Sequence, residues 1–232
     1  MTPRPTALLA VALAGALLAG CAGSGGEAAP TAVAATTPSA TPGPSPSEQS
    51  ARDELQAALA LLTTTTYKYT VTGDYQPKEK IRATGSRDPK ARKATWTVKV
   101  TSGGDAWSTR HLVIGAARYR AEGSGKWKAD TKADAADPGG LSRFATAVTT
   151  TLRTGPHALR GSFYIGKNLT ILPLGAPGIF FPGGAMPDFT AKTDAQGHLT
   201  SITVIVKFTD GTMKQTTTFS GYGEPVTISK PA

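Results

Sequence analysis

The stretch "KATWTVKVT", residues 93–101, alternates without a break. Ala94, Trp96, Val98 and Val100 fall on one side, and Lys93, Thr95, Thr97 and Lys99 on the other. A period of two, carried by β-branched and aromatic residues, predicts a strand with one face covered and one in water. The same pattern precedes it in "TTTTYKYTVTGDY" (63–75), where Tyr67, Tyr69 and Val71 oppose Lys68, Thr70 and Thr72. It follows in "WSTRHLVIG" (107–115) and "ARYRA" (117–121), and "EGSG" (122–125) turns the chain into "KWKAD" (126–130). The expectation is an antiparallel meander, apolar on one face and charged on the other.

Helical periodicity flanks these strands. In "SEQSARDELQAALALL" (47–62), Leu55, Leu59 and Leu62 share a face, Ser50 is placed to cap, and Asp53 and Glu54 suit the positive end of the helix dipole. A second helix is predicted in "DPGGLSRFATAVTTTLR" (137–153). Asp137 and Pro138 give the start signal, Leu141, Phe144, Ala145, Val148 and Leu152 keep helical spacing, and Gly155-Pro156 ends it. Strands return in "GSFYIG" (161–166), "DFTAKTD" (188–194), "HLTSITVIVKF" (198–208), "GTMKQTTTFSGY" (211–222) and "PVTISK" (225–230). "DAQG" (194–197) and "TDG" (209–211) supply hairpin turns. Helix, strands, helix, strands predicts an α+β fold on a large antiparallel sheet. Only "LTILPLGAPGIFFPGGAM" (169–186) resists a regular assignment, because Pro173, Pro177, Pro182 and several glycines break it. It reads either as a buried irregular connection or as a mobile apolar flap beside a greasy pocket.

The amino terminus has its own logic. Arg4 precedes the apolar run "ALLAVALAGALL" (7–18), which is short for a membrane span and has the make-up of a secretory signal. The chain's single cysteine follows at once. Leu18-Ala19-Gly20-Cys21 resembles the bacterial lipobox, in which the thiol is diacylglycerylated and cleavage leaves the cysteine first. The competing reading is an ordinary signal with a chance cysteine. Two acyl chains anchor stably where one, at about 0.8 kcal/mol per buried methylene, does so marginally. This predicts a signal peptide over 1–20 and a protein anchored by Cys21 to the extracytoplasmic face of the cell membrane. Residues 21–48 are rich in Ala, Pro, Ser, Thr and Gly and read as a disordered tether of reach about 30 Å. Residues 49–232 then form the folded domain.

That domain holds 24 Lys and Arg, all but Arg4, against 14 acidic residues, all but Glu27 and Glu48, a net charge of +10. For an exported chain the expected counter-charge is anionic headgroups or wall polymers rather than nucleic acid. The densest run is "KEKIRATGSRDPKARK" (78–93), with Lys78, Lys80, Arg82, Lys90, Arg92 and Lys93. It reads either as the solvated face and turn of an edge hairpin or as a headgroup surface.

Enzymatic motifs are not apparent. His111, His157 and His198 lie 46 and 41 residues apart, and each reads as a surface or strand-end residue. There is no G-x-S-x-G elbow and no H-E-x-x-H. "GSGKW" (123–127) lacks the upstream glycine and the hydroxyl residue of a phosphate loop. No catalytic residue, metal or cofactor is expected.

The lipobox, the tether, the opening amphipathic helix, "RYRAEGSGKWKAD" (118–130), "DAQGHLTSI" (194–202) and the closing "TTTFSGYGEPVTISKP" (216–231) together resemble the actinobacterial LppX/LprG-type lipoproteins of the LolA-like superfamily. "YGEPVTI" (222–228) is the most specific piece. The resemblance implies a curved antiparallel sheet, a half-barrel, with helices covering its concave face and a cavity for the acyl chains of a lipid or lipoglycan. It implies a lining of Tyr69, Val71, Trp96, Val98 and Val100 from the strands. Leu55, Leu59, Leu62, Phe144, Val148 and Leu152 would come from the helices, and Ile179, Phe180 and Phe181 from the broken segment. The alternative is a non-enzymatic regulatory or wall-interaction domain with a packed core, since fold alone does not fix function. Ligand identity, transfer direction and oligomeric state stay open.

Overall fold

Ser45 caps helix α1 (Pro46–Thr64). Its hydroxyl accepts the Glu48 N–H at 3.3 Å while the Glu48 carboxylate takes the Ser45 N–H at 2.9 Å. This reciprocal box, with proline in the first turn, starts the helix ahead of the Ser50 cap expected from sequence and inside the stretch assigned to the tether. The computed structural model describes residues 45–75, 78–130, 139–166, 186–209 and 211–229. All belong to one compact unit, Gly43–Ala232.

Five strands follow α1 as a meander: β1 (Tyr67–Asp74), β2 (Glu79–Asp88), β3 (Lys93–Ser102), β4 (Asp105–Ile114) and β5 (Ala117–Glu122). The two-residue β6 (Lys128–Ala129) completes it. Gly103 and Gly104, at φ 56° and 116°, make the tight β3–β4 turn, a backbone that side chains oppose. Helix α2 (Leu141–Ala147) leads directly into β7 (Val148–Gly155). Then come β8 (Ala158–Phe163), β9 (Asp188–Thr193), β10 (Leu199–Phe208) and β11 (Gly211–Ser220). Among the described residues these eleven strands form one open antiparallel sheet, ordered β6-β5-β4-β3-β2-β1-β11-β10-β9-β8-β7. The β1–β11 ladder alone joins the two meanders. Tyr69 stands opposite Phe219 and Val71 opposite Thr217.

Register turns the sequence alternation into faces. One row runs Leu159–Ala191–Ile202–Thr217–Val71–Ala83–Val98–Thr109 across eight strands, and every member is buried. On the other side the row Ser201–Thr218–Thr70–Thr84–Thr97 is exposed or half-buried. The buried side joins Ala51, Leu55, Ala58, Leu59 and Leu62 of α1 in one core cluster.

Three expectations are corrected. The second helix has only seven residues, so Val148 and Leu152 belong to β7. The run Val148-Thr149-Thr150-Thr151 is β-branched, which is stiff in a helix and suits a strand. The basic run 78–93 builds the β2–β3 hairpin in the sheet interior, not at an edge. Residues 225–229 form no strand. The start signals Asp137 and Pro138, and 169–185 of the broken segment, lie outside the described residues.

Candidate functional site

Nominated lining residues come together on the core side of the sheet. Leu55, Leu59 and Leu62 of α1, Tyr69 and Val71 of β1, Trp96, Val98 and Val100 of β3, Phe144 of α2 and Val148 of β7 are all buried, none more than 6% exposed, in the one cluster. Leu152 is half-buried and lies outside it. Cys21, Ile179, Phe180 and Phe181 fall outside the described residues.

Aromatic contacts organise both halves of this face. Phe144 meets Phe163 and Phe189 edge-on, with centroids at 5.1 and 5.3 Å. Tyr67 packs against Tyr69, Phe219 and Tyr222 at 6.1, 5.9 and 6.3 Å. The Tyr222 hydroxyl donates to the Leu199 carbonyl at 2.6 Å, and its ring stacks on His198. Edge-on and offset contacts of this kind stabilise beyond simple burial. Phe163, Phe189 and Phe219 were not nominated from sequence, although "GSFYIG", "DFTAKT" and "TTTFS" carried the same alternation. Polar tethers fix α1 over α2 and β7. Gln56 donates to the Ala145 carbonyl at 2.8 Å, Arg52 to the Val148 carbonyl, and Arg153 pairs with Glu54 at 2.6 Å.

Gly85 shows how tightly the face is built. A methyl group there would lie 2.5 Å from the Tyr69 ring, which lies over the glycine opposite it in the ladder. Gly85→Ala is expected to destabilise by about 1–3 kcal/mol through overpacking, read as a lowered denaturant midpoint with unchanged slope.

His111 departs from its expected surface position. It sits in mid-β4, 3% exposed, stacked on Trp96 at 4.9 Å with planes 8° apart. Its Nε2 shares a hydrogen bond with Thr109 Oγ1 at 2.9 Å. Burial, together with the positive charges of Arg118 and Arg120, lowers its pKa to about 4, against a weaker pull upward from Asp130. Burial likewise raises the Tyr69 hydroxyl well above its ordinary range.

Two clefts lie against the sheet, one at its β5–β6 edge and one over β1–β3, where Tyr69, Gly85 and Trp96 also line it. One, about 490 Å³, is bounded by β5 and β6. The other, about 590 Å³, lies between Pro225–Thr227 and the hydroxyl-bearing face at Thr70, Thr84 and Thr97. Of the basic run, Lys78, Lys80, Arg82, Lys90 and Arg92 are exposed and Lys93 half-buried. Lys80 pairs with Asp74, whereas Arg82 stands directly across from Lys99, a repulsive like-charge pair. Among the described residues no His, Cys, Asp and Glu side chains gather as a metal-ligand set, and no helix is long and apolar enough to cross a membrane.

No family model and no curated protein matches this chain.

Proposed function

We propose that this chain is a lipoprotein anchored through diacylglyceryl-Cys21 at the outer face of the cell membrane, binding or carrying the acyl chains of a lipid or lipoglycan without catalysing a reaction. The observation that carries the reading is the largely apolar, buried face of a very wide open sheet, interrupted by Thr109, His111, Gln215 and Thr217 and giving way to cations at the β5–β6 edge. Eleven strands span about 48 Å at 4.8 Å per strand, against about 10–12 Å for one helix. Helices of 19 and seven residues are narrow against so wide a face, which supports a sheet that curves around them, a half-barrel with α1 and α2 on its concave side. Acyl chains then leave water for that face, at about 25 cal/mol per Å² buried.

A second reading, an interaction domain with a filled core, is favoured by the burial of the nominated lining itself. The two separate in one experiment. Native mass spectrometry of the full-length protein from its own membrane is combined with titration of a fluorescent fatty acyl probe. Co-purifying lipid and saturable probe binding support the carrier; neither, in a folded protein, leaves the interaction domain.

Two predictions accompany this function. Cys21→Ser abolishes incorporation of a labelled fatty-acid analogue and leaves unprocessed precursor; equal label on both proteins defeats the lipobox. The cationic strip of Lys80, Arg82 and Lys99 is expected to bind anionic vesicles, weakening with salt as the screening length falls to about 8–10 Å. Reversing Lys80, Arg82, Lys90 and Arg92 to Glu removes most of that binding in a sedimentation assay.

A further inference from the structure

On the core side of the sheet the residue types change in one direction. A single register row runs Phe219–Tyr69–Gly85–Trp96, continues through His111 on β4 and Arg120 on β5, and ends at Lys128 on β6. It passes from aromatic, through titratable, to cationic over seven strands. The neighbouring row adds Arg118 opposite Val113, with its guanidinium 5.1 Å from the Trp96 ring and paired to Asp130 at 3.5 Å. The β5–β6 cleft of about 490 Å³ lies at the cationic end, bounded by Arg120, Lys126 and Lys128 with Glu122 and Asp130. Both carboxylates are already engaged, Glu122 with Arg120 at 3.2 Å and Asp130 with Arg118.

A second, independent observation concerns hydrogen bonds. Trp96 Nε1 and His111 Nδ1 are buried and have no hydrogen-bond partner among the described residues. Buried polar atoms are nearly always satisfied, so the Trp96 indole N–H is a buried donor without an acceptor, and His111 Nδ1 joins it as a second donor in the tautomer whose Nε2 accepts from Thr109.

We propose that the β5–β6 cleft receives the anionic head, a phosphate or carboxylate, of an amphiphile whose acyl chain lies along the apolar rows. This rests on the acyl-binding reading above and adds the chemistry of the head. Arg120 and Lys128, which bound the cleft, supply charge-assisted hydrogen bonds, and the Trp96–His111 stack, which does not bound it but precedes Arg120 in the same row, supplies the indole N–H on the chain side of the head. Burial first, and then the charges of Arg118 and Arg120, lower the His111 pKa, and a bound anion would raise it.

The test uses the full chain carrying Cys21→Ser, which removes the acylation site, and two fluorescent probes with the same acyl chain. One has a phosphate head and the other a neutral glycerol head. The phosphate-headed probe is expected to bind at least about tenfold tighter, an advantage that shrinks with salt. Arg120→Gln with Lys128→Gln, both at exposed positions, is expected to erase the difference between the probes, with thermal unfolding confirming an intact fold. Equal affinities in the parent chain, or a preference that survives the double substitution, overturn the proposal. If neither probe binds, the acyl reading fails and the amphiphile falls with it. Inorganic phosphate then decides the anion site alone, through the Trp96 indole N–H resonance. A saturable shift in the parent chain that the double variant lacks keeps a site for free or polymer-borne phosphate, and no shift removes that too.

Discussion

Phe144→Ala is expected to lower the free energy of unfolding by about 3–5 kcal/mol, the range for truncating a fully buried aromatic ring. Phe144 is completely buried and meets two further buried rings, Phe163 of β8 and Phe189 of β9, both edge-on. It is also the main apolar residue that the seven-residue α2 contributes to the core, beside Leu141. Truncation therefore removes the transfer free energy of the ring, forfeits two edge-to-face contacts and opens a void between α2 and the β8–β9 ladder. So short a helix has little stability of its own, because nucleation is costly and packing supplies most of the rest. The loss is expected as a shifted urea midpoint together with early amide exchange over Leu141–Ala147. A change under about 1 kcal/mol would mean that the ring is not packed as described. Phe144→Leu, which keeps most of the apolar volume, is expected to recover more than half of the loss.

Acid is expected to weaken the fold in a window set by His111. The imidazole has an ordinary pKa of 6.5 when the chain is unfolded and about 4 when folded. Above pH 6.5 both states are neutral and the group contributes no pH dependence. As pH falls from 6.5 to 4, the unfolded chain takes up the proton first, so stability declines over that interval and levels off below it. A shift of this size corresponds to about 3 kcal/mol at 1.36 kcal/mol per pH unit. The Asp74 carboxyl acts at lower pH. Its pKa is lowered despite a burial contribution that raises it, because the Lys80 side chain and the Lys214 N–H hydrogen-bond to it, and its stabilisation is lost only as pH falls below the usual carboxylate range. His111→Phe keeps a flat ring against Trp96 and does not titrate. It is expected to give a nearly flat stability profile between pH 6.5 and 4.5 in denaturant titrations, and a slope equal to that of the parent chain would place the acid sensitivity elsewhere.

Both effects depend on neighbours that the sequence reading did not connect. Phe144 was recognised as a buried helical residue, but its partners Phe163 and Phe189 lie 19 and 45 residues further along the chain. His111 looked like a surface residue because three widely spaced histidines carry no local signal. Its burial follows from the β3–β4 register, which puts it opposite Trp96, and from the Arg118 and Arg120 strand next to it. Val148 and Leu152 kept helical spacing with Phe144, and that spacing prevailed over a run of β-branched residues that favoured a strand. The outcome was settled by β8, whose Phe163 pairs with Val148 and whose backbone offers a ladder to β7.

The sequence by itself determined what neighbours two to four residues apart can encode. That covers the alternation of β1, β3, β10 and β11 and the leucine stripe of α1; the Ser45–Glu48 capping box is equally local, although the cap was expected at Ser50. These are local because side-chain direction repeats every two residues in a strand and about every 3.6 in a helix. Only the tertiary structure decided that the first and last strands pair, that the basic β2–β3 hairpin lies in the middle of the sheet, and that aromatic rows end in cations at the β6 edge. Cross-strand partners such as Tyr69 and Phe219 are separated by 150 residues, and no periodicity along the chain specifies which two strands meet. Their meeting depends on burying the apolar faces of nine strands and both helices together, a property of the assembled fold and not of any one segment.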